Sequence, residues 1–161
     1  MDRSVFALVH ASFLVMRKCD PRHGSRLGGW GRLRLVSQAM IVGIGIDVLQ
    51  NRRVERELAR GEWEAGDGVF SADEIRACNS TGRPARRFAA CFAAKEATLK
   101  ALGLGLDDLA VFREVEVSLD TAGIALRNRL QQRSEQLGVR RIRLSTAVSR
   151  DLTGAMVILE S

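Results

Sequence analysis

The chain has 161 residues, 46% of them hydrophobic and 27% charged, a balance that suits one domain with a real core and excludes a disordered polymer. No apolar run approaches the roughly 18 residues that span a bilayer, and three cysteines without metal-ligand spacing argue against a disulfide framework, so a cytoplasmic protein is expected. The net charge of +6 is concentrated in residues 1–40, with seven Lys/Arg against two acids, whereas residues 41–161 hold 18 against 17; a nucleic-acid-binding domain is therefore not expected.

In chain order, residues 1–39 read as a basic extension and residues 40–161 as the domain. The run "SVFALVHASFLVM" behind "MDR" allows a signal peptide, but no small-x-small cleavage site follows it. An Arg-rich organelle-targeting segment is a second reading, and a natural start at Met40 is a third; in each case poor order is expected. "MIVGIGIDVLQ" then gives a strand over 41–49. Its period of two places Val42, Ile44, Ile46 and Val48 on one face, expected to meet the core, and Gly43, Gly45 and Asp47 on the other. "NRRVERELARGEW" reads as a short charged helix closed by Gly61, and Ser71-x-x-Glu74 is a capping box ahead of a second short helix. Pro84 suits the first turn of the longest helix, "ARRFAACFAAKEATLKAL", which Gly103 stops. "REVEVSLDTAGIALR" is a hairpin turning at "DTAG", "NRLQQRSEQLG" is a helix, and "RRIRLSTAV" and "TGAMVILE" are closing strands. The order β-α-α-α-β-β-α-β-β implies an α+β fold with a mainly antiparallel sheet packed with helices.

Both histidines, His10 and His23, lie in the extension, so the domain must work with carboxylates, lysines, hydroxyls or a hard cation. Asp47, sharing its strand face with Gly43 and Gly45, offers a carboxylate that a hydrated ion or a phosphate could approach. Glu96 and Lys100 share a face of the long helix, and Arg87, Cys91 and Lys95 form a neighbouring stripe. Two carboxylates with phosphate oxygens and water would suit Mg²⁺, and Lys100 could neutralise phosphate charge. The spacing equally allows Asp47 to cap the strand end or pair with Arg52 or Arg53, and Glu96–Lys100 to be an ordinary surface pair.

"GIGIDV", "FSADEIRAC" and "FAAKEATLKALGLG", continuing through "REVEVSLDTAG" to "AMVILE", resemble the holo-acyl-carrier-protein synthase family of 4′-phosphopantetheinyl transferases over about residues 41–160. The resemblance implies a phosphopantetheinyl transferase-like fold and transfer of 4′-phosphopantetheine from coenzyme A to a serine of an apo acyl carrier protein. Adenosine 3′,5′-bisphosphate would be the other product. Matched positions imply Asp47 and Glu96 as Mg²⁺ ligands and Glu96 as the base for the serine. Lys100 would contact the pyrophosphate, with Lys95, Gly103 and Gly105 also toward the coenzyme. The family further implies a homotrimer with active sites between subunits and a basic docking surface, for which Arg52, Arg53 and Arg56 are candidates.

Two positions depart from the family pattern. Cys91 stands where the family has an arginine toward the nucleotide phosphates, and Val148 where it has a histidine. A thiol has no guanidinium fork; Arg87, one turn earlier, could reach the same phosphate. An active transferase and a degenerate, non-catalytic paralogue that binds a carrier protein or mediates oligomerisation are the two readings these losses leave.

Overall fold

The computed structural model describes residues 39–61, 63, 68–105 and 109–161; the extension expected over 1–39 lies, apart from residue 39, outside them. The elements are β1 (Ile41–Gln50), α1 (Asn51–Ala59), α2 (Ala72–Asn79), α3 (Pro84–Ala101), a 3₁₀ helix (Leu109–Glu114), β2 (Val115–Ser118), β3 (Gly123–Leu126), α4 (Asn128–Gln136), β4 (Arg141–Val148) and β5 (Leu152–Glu160). Except for the 3₁₀ helix, this is the order the sequence pattern implies.

One antiparallel sheet has the order β1-β5-β4, and β2-β3 form a separate antiparallel hairpin. The first and last strands are thus neighbours, and Asp47 lies opposite Ala155. α3 packs along β1 and β5 and is the centre of the molecule, buried from Phe88 through Leu99. Phe88 and Phe92 enter an aromatic cluster with Trp63, Phe70 and Phe112, in which Phe92 and Phe112 stack with centroids 5.3 Å apart.

The ends of the helices follow their local chemistry. Ser71 caps α2 by accepting from the Glu74 amide, and the Glu74 carboxylate accepts from the Ser71 amide at 2.8 Å. α3 begins with Pro84 in its first turn. It ends in a Schellman turn: Gly103 has φ +74°, its amide bonds the Lys100 carbonyl, and the Leu104 amide bonds that of Leu99.

Val42, beside a register shift at the start of β1, packs against the core as expected, but from Gly43 onward β1 turns its faces the other way. Ile44, Ile46 and Val48 are exposed, while Gly45, Asp47 and Leu49 are buried. The cause is backbone approach. A Cβ built on Gly45 would overlap the Ala97 carbonyl oxygen, and one on Gly43 would overlap that of Ala101. The glycines therefore make room for α3 rather than leaving an open face beside Asp47. Ala97 and Ala101, one turn apart on α3, are the helix residues at this close contact.

Candidate active site

Close packing of α3 on β1 brings the expected carboxylates together. The Lys100 ammonium donates to Asp47 Oδ1 at 2.7 Å and lies 3.5 Å from Glu96 Oε2. It also reaches the Ile46 carbonyl at 3.4 Å. Asp47 is thus paired across the helix–strand junction, whereas Arg53 bonds Glu57 within α1 at 2.7 Å. Both carboxylates are nearly sealed, Asp47 at 3% and Glu96 at 2% exposure, while the Lys100 side chain keeps 17%.

One ammonium does not balance two buried carboxylates. Asp47 Oδ2 and Glu96 Oε2 are buried without a hydrogen-bond partner. Burial first, and the neighbouring Asp47 carboxylate second, together push Glu96 up to about 8 against the opposing effect of Lys100. Two orphaned, hard oxygen donors beside an excess of negative potential fit a cation such as Mg²⁺.

The neighbouring stripe of α3 behaves differently. The Lys95 ammonium is buried and pairs with Glu74 Oε2 at 2.9 Å; it also donates to the carbonyls of Phe112 at 3.0 Å and Val115 at 2.5 Å. Its three N–H groups are therefore all used inside the protein, and it stands apart from the Asp47–Glu96–Lys100 cluster. The other Glu74 oxygen accepts from the Val117 amide at 2.8 Å, with Cys91 Sγ 3.6 Å away. Sequence reasoning found Glu74 only as a cap; that a capping glutamate also anchors β2 and α3 has no local signature.

Arg87 lies nine residues before Glu96, about 13 Å along the helix axis. It bonds Asp120 in the β2–β3 turn at 2.7 Å, while its Nε is buried without a partner. It borders two cavities. One, of about 390 Å³, reaches Cys78, Cys91 and the hairpin; the other, of about 630 Å³, is lined by Arg83, Arg86, Thr146 and Val148 among others. Cys91 is buried at 1% exposure and offers no positive charge, but three arginines surround the neighbouring space. Gly103, three residues after Lys100, ends α3, and Gly105 is exposed. The region therefore has an acidic end, with Asp47 and Glu96, and an arginine-rich end whose charge suits phosphate.

Known proteins resemble this chain in sequence and in fold. The model of the 4′-phosphopantetheinyl transferase superfamily matches residues 43–148. A holo-[acyl-carrier-protein] synthase of Geobacter sp. (strain M21) is 36% identical over 124 residues, covering 75% of this chain and 99% of that protein. The enzyme of the same name from Syntrophus aciditrophicus (strain SB) is also 36% identical, over 75% of this chain and 97% of its own. Among solved structures, holo-[acyl-carrier-protein] synthase from Neisseria meningitidis superposes with a TM-score of 0.65 at 29% identity, over 76% of this chain and all of that one. The Bacillus anthracis enzyme, solved in complex with CoA (3′,5′-ADP), gives 0.59 at 30% identity, over 76% and 99%. With the carboxylate–lysine cluster and the α+β frame in place, the chain belongs to the 4′-phosphopantetheinyl transferase superfamily, among the holo-acyl-carrier-protein synthases.

Proposed function

We propose that the chain transfers 4′-phosphopantetheine from coenzyme A to a serine hydroxyl of an apo acyl carrier protein and releases adenosine 3′,5′-bisphosphate. The observation that carries this reading is the pair of buried, unpartnered carboxylate oxygens of Asp47 and Glu96 beside Lys100. Mg²⁺ held by Asp47 and Glu96 would supply positive charge against the pyrophosphate oxygens.

The chain's own groups divide the rest of the work. Lys100, partly exposed at the rim, binds the pyrophosphate and offsets the charge that builds as the bond to the leaving bisphosphate breaks. Glu96 takes the proton from the serine as its oxygen attacks phosphorus. Arg87, with its free Nε, and its neighbours Arg83 and Arg86 hold the nucleotide's phosphates in place of an arginine at position 91. Basic side chains of α1, Arg52, Arg53 and Arg56, offer the acidic carrier a docking surface.

The reading includes self-assembly. The outer sheet face exposes Ile44, Ile46, Val48, Leu152 and Met156 together, an apolar surface that a second copy would cover. A homotrimer with sites between subunits fits this face, and light scattering of the protein with Ile46→Asp beside the parent tests it: the parent runs as a trimer and the variant as a smaller species. Among the described residues no helix is long and apolar enough to cross a membrane. Cys78 and Cys91 are free thiols, which suits the reducing cytoplasm in which we place the enzyme.

The deciding experiment incubates protein started at Met1 or at Met40 with coenzyme A, Mg²⁺ and several apo carriers, and weighs the carriers. A gain of one phosphopantetheinyl group is expected. No gain on any carrier, with a related synthase active in parallel, would leave the non-catalytic carrier-binding paralogue, the reading that loss of the arginine at Cys91 favours.

A further inference from the structure

The buried Glu74 carboxylate fills both of its oxygens with donors from three elements. Oε2 accepts from the Ser71 amide at 2.8 Å and from the Lys95 ammonium at 2.9 Å. Oε1 accepts from the Val117 amide at 2.8 Å and from the Cys91 thiol at 3.6 Å. The two amides fix the carboxylate to the start of α2 and to β2. The other two donors stand one turn apart on α3, so a single fixed group grips that helix at two points.

Lys95 directly precedes Glu96, so the hold on one bears on where the other points. On the β1 side α3 lies against bare backbone: at Gly43 and Gly45 no side chain stands between the strand and the Ala101 and Ala97 carbonyls. Such a contact sets how closely the helix lies and leaves its rotation about its own axis to other contacts. That rotation matters for the reaction. Side-chain ends lie about 5–6 Å from a helix axis, so a roll of about 10° carries the Glu96 carboxylate through about 1 Å. A displacement of that size can cost a site about a hundredfold in rate.

We propose that Glu74 is a positioning residue, whose two-point hold on Cys91 and Lys95 sets the roll and slide of α3 and so aims Glu96 and Lys100 at Asp47. The catalytic meaning of this hold rests on the transfer roles of Glu96 and Lys100; the hold itself does not. Cys91, where the family pattern has an arginine, is an inward-turned donor to Glu74 and not simply a lost phosphate contact. Because the Ser71 and Val117 amides keep the carboxylate in place, losing the thiol loosens one point of the grip and leaves the other.

The full chain is compared with Cys91→Ala, Cys91→Ser and the double variant Glu74→Gln/Lys95→Met by amide nuclear magnetic resonance spectra and by steady-state carrier modification. In the double variant the Gly43, Gly45 and Asp47 amides, across α3 from Glu74, should shift along with those of Ser71 and Val117. Its kcat should fall about tenfold, with the KM for coenzyme A within about twofold of the parent. Cys91→Ala, which strands no charge and gives the same readouts if the double variant does not fold, should lose about threefold in kcat. Cys91→Ser keeps a hydroxyl donor toward Glu74 and should recover part of that loss. Shifts confined to the surroundings of Glu74 in every folded variant, or a parental kcat in the folded double variant, would overturn the proposal. Shifted β1 amides beside a parent that modifies no carrier would uphold the hold of Glu74 on α3 and overturn the transferase reading instead.

Discussion

Lys100 and Asp47, 53 residues apart, meet at 2.7 Å across the junction of α3 and β1. The pair leaves Asp47 Oδ2 orphaned and leaves Glu96, one turn before Lys100, facing a carboxylate it repels. With Glu96 ionised, the single ammonium here is short of one charge, and in the metal-free protein the proton that Glu96 holds makes it up. The shortfall is local, buried and directed at hard oxygen atoms, which is what a divalent ion requires.

Asp47→Asn and Glu96→Gln keep the shape of each side chain and remove its charge. Either change should lower Mg²⁺-dependent carrier modification by at least about a hundredfold, the scale of losing a directed electrostatic contact in a closed site. Circular dichroism should stay native in both. Carrier modification at the parental rate in both variants would remove these residues from the site.

Glu96 also makes the metal-free protein sensitive to pH. Its carboxyl titrates at about 8 in the fold against an ordinary 4.5, so the folded state holds this proton more tightly than the unfolded chain. The resulting stabilisation is complete below 4.5 and is lost as the pH rises through about 8. Melting temperatures in chelator-treated buffer should therefore fall across this window, and Glu96→Gln should flatten the fall. An equal slope in the variant would assign it to other groups.

Gly45→Ala tests why β1 carries glycine. The new methyl would collide with the Ala97 carbonyl and the backbone of Ala101, and neither helix atom can step aside without moving α3. A loss of about 1–3 kcal/mol is expected in urea unfolding, the usual range for overpacking. Gly154→Ala, where the nearest atoms lie at 3.4 Å, is the control and should cost less.

The order of elements was legible because each end has a local signal: the capping box at Ser71, Pro84, Gly103 and the hairpin turn. Asp47, Glu96 and Lys100 were legible as candidates by type and spacing, and the fold brings them together. The face of β1 was not. Alternation separates Ile44 and Ile46 from Gly45 and Asp47 but does not say which side a helix covers, and here the helix takes the glycine side because its backbone approaches so closely. The partners of Lys95 were not legible for a related reason. Its stripe on α3 looks like that of Arg87, yet its partner, Glu74, is 21 residues away on another helix, and only packing brings them to 2.9 Å.

That buried pair gives the last prediction. Lys95 and Glu74 side chains are 1% and 2% exposed, so removing either partner strands a charge that water does not reach. Glu74→Gln or Lys95→Met alone should each lose about 3–5 kcal/mol. The double variant Glu74→Gln/Lys95→Met removes both charges, and should recover a large part of that loss in a double-mutant cycle read by urea unfolding. It also separates the two roles open to Lys95. If the lysine holds the interior together, the double variant binds coenzyme A within about threefold of the parent, because no group facing the coenzyme has changed. If it reaches the coenzyme, restoring stability leaves binding weak, and the assignment of Lys95 to Glu74 and the Phe112 and Val115 carbonyls fails as an account of why the residue is there.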